Sequence, residues 1–437
     1  MPKINPFNPS SPVRPGMFAG RLKEIQRLEN ALLQTRSGNP TNTLVVGERG
    51  IGKSSLLFYL KAVADGSIPL AGVPLLRFLV IDTDIDEGVT QLGLVRKIEM
   101  ALRHQLATTE PARAFLSSAW SFLQRLEMAG VAVKDGAISQ LEEETLEEFS
   151  YSLARTAERL CANEGETVFS AAYDGLLIII DEADNAAAAL HLGSFLKLLL
   201  ERLHRRGCDK VMVALAGLPG IRQVLTDSHA SSLRLFEELE LERLSPDDAR
   251  WVIGLGLKKA TELNSGIAFS AKEEAQDLLI ALSEGFPHFL QQFCYSAFAL
   301  DTDNVIDRDD VSKGAFGKYG AMELIGNRYY RHDFYDRIKE ESYRHVLRIM
   351  ADHLDSWVSK KDIRKRFKGN TATLDSAIYA LRKRHIIIPK EGARGFYKLQ
   401  NRGFAFWIKV YTSSPGEFGL PEVASQPATS PLAAPQE

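Results

Sequence analysis

Residues 47–54 read GERGIGKS, and this stretch fits the phosphate-binding loop pattern G-x-x-x-x-G-K-[ST] at every fixed position. The apolar run 43–46 precedes the stretch and predicts a strand, and the run 54–60 follows it and predicts a helix. A strand, a glycine-rich loop and a helix in this order are the context that the pattern requires. The sequence therefore predicts a phosphate-binding loop at the amino end of a helix.

The residues of this loop have separate expected roles. Glycine tolerates backbone dihedrals that other residues avoid, so the main chain can wrap closely around phosphates. The side chain of Lys53 is expected to reach the β- and γ-phosphates, and the hydroxyl of Ser54 to bind Mg²⁺. The expected ligands are therefore ATP and Mg²⁺. The predicted nucleotide contacts in the loop are Gly47, Gly50, Ile51, Gly52, Lys53, Ser54 and Ser55.

A second apolar run ends in two carboxylates. Residues 176–180 read LLIII and are followed by Asp181 and Glu182. Beside a phosphate loop, such a pair predicts that Asp181 holds Mg²⁺ and that Glu182 is the general base for the attacking water. An acidic pair that only caps a helix after a buried strand is the alternative. The run DEAD at 181–184 is also a helicase signature, but no second domain with an arginine motif follows it.

Composition and length describe an ordinary globular chain. The 437 residues allow two or three domains, with 45% hydrophobic and 25% charged residues. The longest apolar run near the loop motif, 176–180, is too short to span a bilayer, and no apolar leader is visible near residue 1. Three widely spaced cysteines, Cys161, Cys208 and Cys294, give no disulfide or zinc pattern. We expect a cytoplasmic protein without a membrane partner.

Apolar strand-like runs alternate with amphipathic helices through the first half of the chain, which predicts an α/β fold with a parallel sheet covered on both faces. The predicted strands are 43–46, 75–81, 176–180, 211–216 and 239–241. The long stretch of about 87–175 is interpreted as a helical insert, and 245–300 as helical. Five prolines in residues 1–17 and five in 413–437 predict a flexible amino-terminal segment and a disordered tail.

A basic module follows the helical region. Residues 342–412 hold 16 Lys and Arg against 5 Asp and Glu, a balance of +11 that leaves −14 for the rest of a chain whose total is −3. Its pattern predicts helices at 343–354, 360–367 and 371–384, and strands at 386–388 and 396–399. Three helices and a hairpin of this kind resemble a winged helix.

The opening run FAGRLKE at 18–24 matches the pattern F-x-G-R-x-x-E at Phe18, Gly20, Arg21 and Glu24. Together with the phosphate loop, the acidic strand and the helical region, it makes the chain resemble an AAA+ P-loop ATPase. Among these proteins it is most similar to the origin-recognition-type and STAND-like signalling ATPases. The resemblance implies a nucleotide-binding domain at 18–244, an α-helical lid at 245–319 and a carboxy-terminal winged helix at 320–412.

The resemblance also implies roles for residues outside the loop. Phe18 and Arg21 would pack beside the adenine and ribose, and Pro287 in the run GFPH at 285–288 would face the base. Arg234, just before the fifth strand, would be an arginine finger that reaches the γ-phosphate of a neighbouring subunit. A surface arginine in a loop is the alternative for Arg234.

Two departures from the family pattern predict slow hydrolysis. His288 stands where many AAA+ proteins have a sensing arginine, and a neutral imidazole does not replace a guanidinium. Ala216 and Gly217 occupy the end of the fourth strand, where the family usually has a polar sensing residue.

The basic module suggests a partner. Its cations suit contacts with the phosphates of duplex DNA, with weak sequence preference. The predicted DNA contacts are Lys360, Lys361, Arg364, Lys365, Arg366, Arg382, Arg384, Lys390 and Arg394. The first hypothesis is a nucleotide-dependent switch that acts on DNA in replication, transposition or genome defence, as a homo-oligomer or with partner proteins. The alternatives are a STAND-like ATPase whose winged helix is a protein joint, and an adaptor that keeps ATP structurally.

Overall fold

The computed structural model describes residues 3–11, 20–125, 138–162, 167–354, 356–384, 386–390 and 392–412, without the side chains of 138–142. Phe18 and the predicted tail at 413–437 therefore lie outside the described residues.

Five parallel strands form the central sheet in the order β2-β3-β4-β1-β5. Their bounds are β1 (Asn42–Val46), β2 (Phe78–Asp84), β3 (Gly175–Asp181), β4 (Val211–Gly217) and β5 (Phe236–Glu240). Val46 of β1 pairs with Gly217 of β4, and Ile180 of β3 pairs with Leu215 of β4. The strand β4 thus lies between the strand that leads to the phosphate loop and the strand that leads to the acidic pair.

Burial explains why these runs form a parallel sheet. Every residue of β4 is buried, as are all but one of β1 and of β3, because helices cover both faces. This confirms the predicted α/β fold. The edge strand β5 begins before the predicted 239–241. Its start was not predicted because the sequence FEELE buries only Phe236 and Leu239 and lacks a continuous apolar run.

Helices surround the sheet and build the insert. The helices beside the sheet are α1 (Leu22–Arg36), α2 (Lys53–Ala64), α6 (Leu192–Arg205) and α7 (Ile221–Ser228), and those of the insert are α3 (Gln91–Leu106), α4 (Glu110–Ala119) and α5 (Ile138–Leu160). The ring of Phe149 in α5 stacks on Phe195 of α6 at 5.9 Å, so the insert shares the core of the sheet domain. No helix among the described residues is long and apolar enough to cross a membrane.

The chain divides into two compact units, one of Met1–Ala281 and Gly285–Tyr295, the other of Leu282–Glu284 and Ser296–Glu437. The helical region contains α8 (Pro246–Leu263), α9 (Glu273–Ser283) and α10 (Pro287–Leu300), with short strands β6 (Ser270–Ala271) and β7 (Val305–Ile306). Both α9 and α10 run across the division. The bounds 245–319 for a lid stay a prediction.

Residues 3–11 lie against the helices of the first unit, although five prolines predict a flexible segment at 1–17. The side chain of Phe7 is only 2% exposed, and a β-carbon on Gly256 of α8 would collide with its ring. The backbone of Ile4 exchanges hydrogen bonds of 2.7 and 3.0 Å with the side chain of Asn264. The buried ring of Phe7 and the bonds of Ile4 hold this segment in place, and its proline content does not reveal these contacts.

The second unit has the element order expected of a winged helix. Its helices are α11 (Arg308–Phe316), α12 (Ala321–Ile325), α13 (Glu341–Ala351), α14 (Lys360–Arg366), α15 (Thr371–Lys383) and α16 (Arg402–Tyr411), and its strands are β8 (Val358–Ser359), β9 (Ile387–Pro389) and β10 (Phe396–Leu399). The strands form an antiparallel sheet in the order β8-β10-β9. Trp407 of α16 is 3% exposed and stacks on Phe404 and Tyr411, each at 6.3 Å between ring centroids.

Candidate functional site

The phosphate-loop residues connect β1 to α2, as the motif requires. Gly50 has φ +80° and Gly52 has φ +103°, a left-handed conformation that favours glycine. Gly52 precedes α2 without a side-chain cap, and the first turn of α2 has no acidic residue. The first amide groups of α2 and the positive end of its dipole are thus suited to an anion.

The ammonium group of Lys53 lies over the loop. Its Nζ donates hydrogen bonds to the carbonyl oxygens of Gly47 at 2.9 Å and Glu48 at 3.2 Å. Burial lowers the pKa of Lys53 below its ordinary value, and the carboxylates of Asp181 and Asp184 oppose this shift. The cation is thus held by carbonyl oxygens of the loop, in the field of the acidic side chains at the end of β3.

The two predicted metal ligands meet. The hydroxyl of Ser54 donates a hydrogen bond of 2.7 Å to Oδ2 of Asp181. Hydroxyl and carboxylate oxygens are hard donors of the kind that Mg²⁺ prefers, and Mg²⁺ in such sites completes its shell with water and phosphate oxygens. The residues present therefore fit Mg²⁺.

Glu182 begins the turn after β3. It has φ 51° and ψ 31°, a left-handed conformation that is uncommon for a residue with a side chain. Its amide donates to Oδ1 of Asp181 at 2.8 Å, and its Oε2 accepts a bond of 3.3 Å from Nδ2 of Asn185. Its side chain is exposed, so the carboxylate is accessible to water.

Asp184 also lies at the site, although sequence reasoning assigned it no role. Its Oδ1 accepts a hydrogen bond of 2.9 Å from the amide of Leu218, just past β4. A β-carbon on Gly217 would come within 2.9 Å of the same oxygen. Ala216 and Gly217 indeed bring no polar side chain to the end of β4, but the carboxylate of Asp184 lies there instead. Gly217 at the end of β4 was the feature of the sequence that could have indicated space for another side chain there.

The helical region contacts the loop through the start of α10. Pro287 is the first residue of this helix, and the amide of His288 donates to the carbonyl of Gly50 at 3.2 Å. Sequence reasoning also missed Arg243, whose Nη2 lies 3.4 Å from Oε2 of Glu48 and whose guanidinium lies 4.4 Å from the ring centroid of Phe286. The loop is thus linked to the helical region at two points.

Arg21 supports the loop from the protein side. It is only 6% exposed, and its Nη2 donates to the carbonyl of Ile51 at 3.3 Å and to that of Glu242. Burial lowers the pKa of Arg21. Through these bonds Arg21 links the loop to the chain just after β5. Its place beside adenine and ribose stays a prediction.

The structure does not bring Arg234 to the site of its own chain. Arg234 is exposed in the turn Ser232–Leu235 before β5, and Phe236 pairs with Asn42 at the start of β1. The phosphate loop follows the other end of β1, about 13 Å away at roughly 3.3 Å per residue. An arginine side chain does not span this distance.

The predicted DNA contacts all lie in the second unit, and most bond within it. Lys360 pairs with Asp375, Lys365 with Asp362 and Arg366 with Asp352, while Arg364 and Arg384 donate to the carbonyls of Phe367 and Arg337. Arg382, Lys390 and Arg394, here called the wing cluster, line an open cavity of ≈ 630 Å³. Lys390 also lies 5.9 Å from the ring centroids of both Trp357 and Phe396.

Comparison with known proteins gives a family match for part of the chain and fold matches for most of it. Residues 17–213 match the model described as the AAA ATPase domain. A Walker-type ATPase of Pyrococcus abyssi is similar at 16% identity and a TM-score of 0.55, over 93% of this chain and 100% of that one. The ORC2 protein of Aeropyrum pernix, in ADPNP–ADP complexes, is similar at 14% identity and a TM-score of 0.56, over 92% of this chain and 95% of that one.

A comparison with curated proteins finds no match. At the identities of the two solved structures, the likeness shows the fold. Residues 17–213 therefore match the AAA ATPase domain model, and the chain has the AAA+ fold that its sequence predicts, like the fold of the origin-recognition-type ATPase above.

Proposed function

We propose that this chain binds ATP with Mg²⁺, hydrolyses it slowly and acts as a nucleotide-dependent switch that associates with duplex DNA. The 2.7 Å bond between Ser54 and Asp181 carries the proposal. It brings the hydroxyl of the phosphate loop and the carboxylate of the acidic strand together, and a metal-bound triphosphate requires both groups for its metal ion. The fold likeness to a protein solved in ADPNP–ADP complexes supports the class of nucleotide.

The residues of the site have distinct tasks in this proposal. The loop amides and Lys53 hold the phosphates, and Ser54 and Asp181 hold Mg²⁺, which when bound neutralises charge on the β- and γ-phosphates. Glu182 accepts the proton of the attacking water. The test is ATP turnover and particle mass of the purified chain, with and without duplex DNA and its genomic neighbours; turnover that is absent under all conditions contradicts hydrolysis.

Slow turnover follows from the groups that face the loop. At position 288 the backbone amide contacts the loop, and the side chain is an imidazole rather than a guanidinium that would stabilise transition-state charge. We propose turnover well below the ~10 per second that is typical of enzymes. The contacts of Glu48 with Arg243 and of Gly50 with His288 are where a bound triphosphate would act on the helical region.

DNA association is tested by two triple alanine variants. Replacement of the wing cluster is expected to weaken duplex binding about 10- to 100-fold at fixed salt and to reduce the slope of log K against log salt by about 2.7. Lys365, Arg366 and Arg384 form the matched triple. We expect it to have a smaller effect, because these cations already bond within the chain.

One observation favours the STAND-like alternative, namely that five of the nine predicted DNA contacts bond to residues of their own unit. Such cations stabilise the module and leave less charge for phosphates. Fluorescence anisotropy with a labelled duplex separates the two functions. Unchanged affinity in both triple variants would contradict DNA association and favour a winged helix that joins proteins.

Arg234→Ala tests assembly at the active site. Because Arg234 lies at the far end of β1 from its own loop, it can act only on the nucleotide of a neighbouring subunit. We expect the variant to lose about 10-fold or more of the turnover of assembled protein and to keep nucleotide affinity. Arg205→Ala, at the end of α6, is the control. Normal turnover of Arg234→Ala, in a protein that light scattering shows to be monomeric, would reject the arginine finger.

A further inference from the structure

The acidic turn that carries Glu182 is held from two neighbouring strand ends. On one side, Oδ1 of Asp184 accepts the amide of Leu218 after β4 at 2.9 Å. On the other side, Nδ2 of Asn185 lies 3.4 Å from the carbonyl oxygen of Ile85 after β2, and 3.3 Å from Oε2 of Glu182. The turn therefore has an anchor on each side of β3.

These anchors explain how Glu182 keeps its conformation. Its backbone dihedrals, φ 51° and ψ 31°, are left-handed, and residues with side chains hold such values only where the surroundings impose them. The amide of Asn185 also donates to the carbonyl of Glu182 at 2.9 Å, which closes the turn. The direction of the Glu182 carboxylate thus depends on where the turn is fastened.

The anchor of Asp184 lies at the junction of three strands. Gly217, which precedes the bonded amide, accepts a hydrogen bond of 3.3 Å from the amide of Gly47 in the phosphate loop. The absence of a side chain on Gly217 leaves the space that the Asp184 carboxylate occupies. One strand end therefore contacts both the loop and the acidic turn.

We propose that Asp184 is a positioning residue that fixes Glu182 relative to the phosphate loop through the end of β4. The inference rests on the proposed role of Glu182 as the general base. Asp184 acts through its oxygen as a hydrogen-bond acceptor and does not take the proton itself.

The side chain at 184 is tested first. Asp184→Ala is expected to lower kcat about 10- to 100-fold, since small displacements of a reacting group are costly. KM and the affinity for ADP should change by less than about twofold, because binding is unaffected. Asp184→Asn keeps an acceptor oxygen and should retain most of kcat. An Asn variant as impaired as the Ala variant would show that the charge matters and overturn the proposal.

Gly217→Ala displaces the same carboxylate without changing it. Its β-carbon would stand 2.9 Å from Oδ1 of Asp184 and 3.0 Å from Cβ of Ile221, so a small adjustment at Ile221 is also expected. We expect it to lower kcat in the wild-type background and to add little in Asp184→Ala, because both changes remove one contact. Fully additive effects would contradict a shared contact.

Hydrogen exchange of the nucleotide-free protein gives a readout apart from turnover. The amide of Leu218 should exchange faster in Asp184→Ala than in the wild type and in Asp184→Asn. Unchanged exchange of the Leu218 amide would show that Asp184 does not anchor the turn. Faster exchange with normal kcat would show that the contact exists but does not position Glu182. Normal turnover of Glu182→Gln would refute both Glu182 as the base and the inference that rests on it. An inactive Glu182→Gln together with normal turnover of Asp184→Ala would refute the inference alone.

Discussion

Lys53→Ala is expected to lower the affinity for ATP by at least about 100-fold, which corresponds to about 2.7 kcal/mol. The ammonium group of Lys53 donates hydrogen bonds of 2.9 and 3.2 Å to the carbonyl oxygens of Gly47 and Glu48, which keep it at the loop. Hydrogen bonds from a charged donor to phosphate are about twice as strong as neutral ones. Removing this donor also removes the positive charge that interacts with the carboxylates of Asp181 and Asp184, so that their negative charge opposes phosphate binding more strongly.

Isothermal titration with ADP and with a non-hydrolysable ATP analogue measures this loss. Lys61→Ala is the matched control, because Lys61 lies on the same helix, pairs with Asp82 at 3.0 Å and is partly exposed. The melting temperature of each variant should be recorded, since Lys53 also bonds the loop. A Lys53→Ala variant that keeps its fold and wild-type affinity would contradict the assignment of residues 47–54 as the phosphate site.

The sequence was sufficient for the elements whose side chains repeat a simple pattern. Strands β1, β3 and β4 are continuous apolar runs because both faces are covered, and the loop between β1 and α2 is a fixed motif. The strand β5, which reads FEELE, lies at the edge of the sheet, so its polar residues conceal its start. Patterning predicts a strand well only when burial is uniform along it.

Contacts between residues that are far apart in the chain could not be predicted from the sequence. The nucleotide contact of Arg21 stays a prediction, whereas the bond from its guanidinium to the backbone of Ile51, thirty positions away, was not predicted at all. Phe7 lies in a proline-rich segment, yet its ring is buried and packs against Gly256, which is distant in sequence. Neither pairing follows a periodicity or a short motif, since each depends on how the chain returns to the same place.

Charge counting has a similar limit in the basic module at 342–412. The net balance of +11 in residues 342–412 is a property of composition, whereas binding to phosphates depends on which cations are unpaired. Ion pairs with Asp352, Asp362 and Asp375 use three of the predicted DNA contacts. The wing cluster is therefore a sharper hypothesis than the basic segment as a whole.

Glu182→Gln is expected to lower kcat by at least about 100-fold, the lower end of what general base catalysis contributes. Glutamine has the size of glutamate and an oxygen that can still accept the bond from Asn185, so the turn should persist. Without a carboxylate, however, no group at this position takes the proton of water. The affinity for ATP should stay the same or rise, because one negative charge near the triphosphate is removed.

Single-turnover hydrolysis and equilibrium binding of a fluorescent ATP analogue measure the two effects separately. Glu110→Gln serves as the control, because Glu110 is an exposed residue of the insert that pairs with Arg113 at 3.1 Å. Hydrolysis at the wild-type rate in Glu182→Gln would exclude Glu182 as the base. Loss of binding together with hydrolysis would instead indicate that Glu182 holds the bound nucleotide, since a base that acts only on water contributes to kcat and leaves the ground-state complex intact.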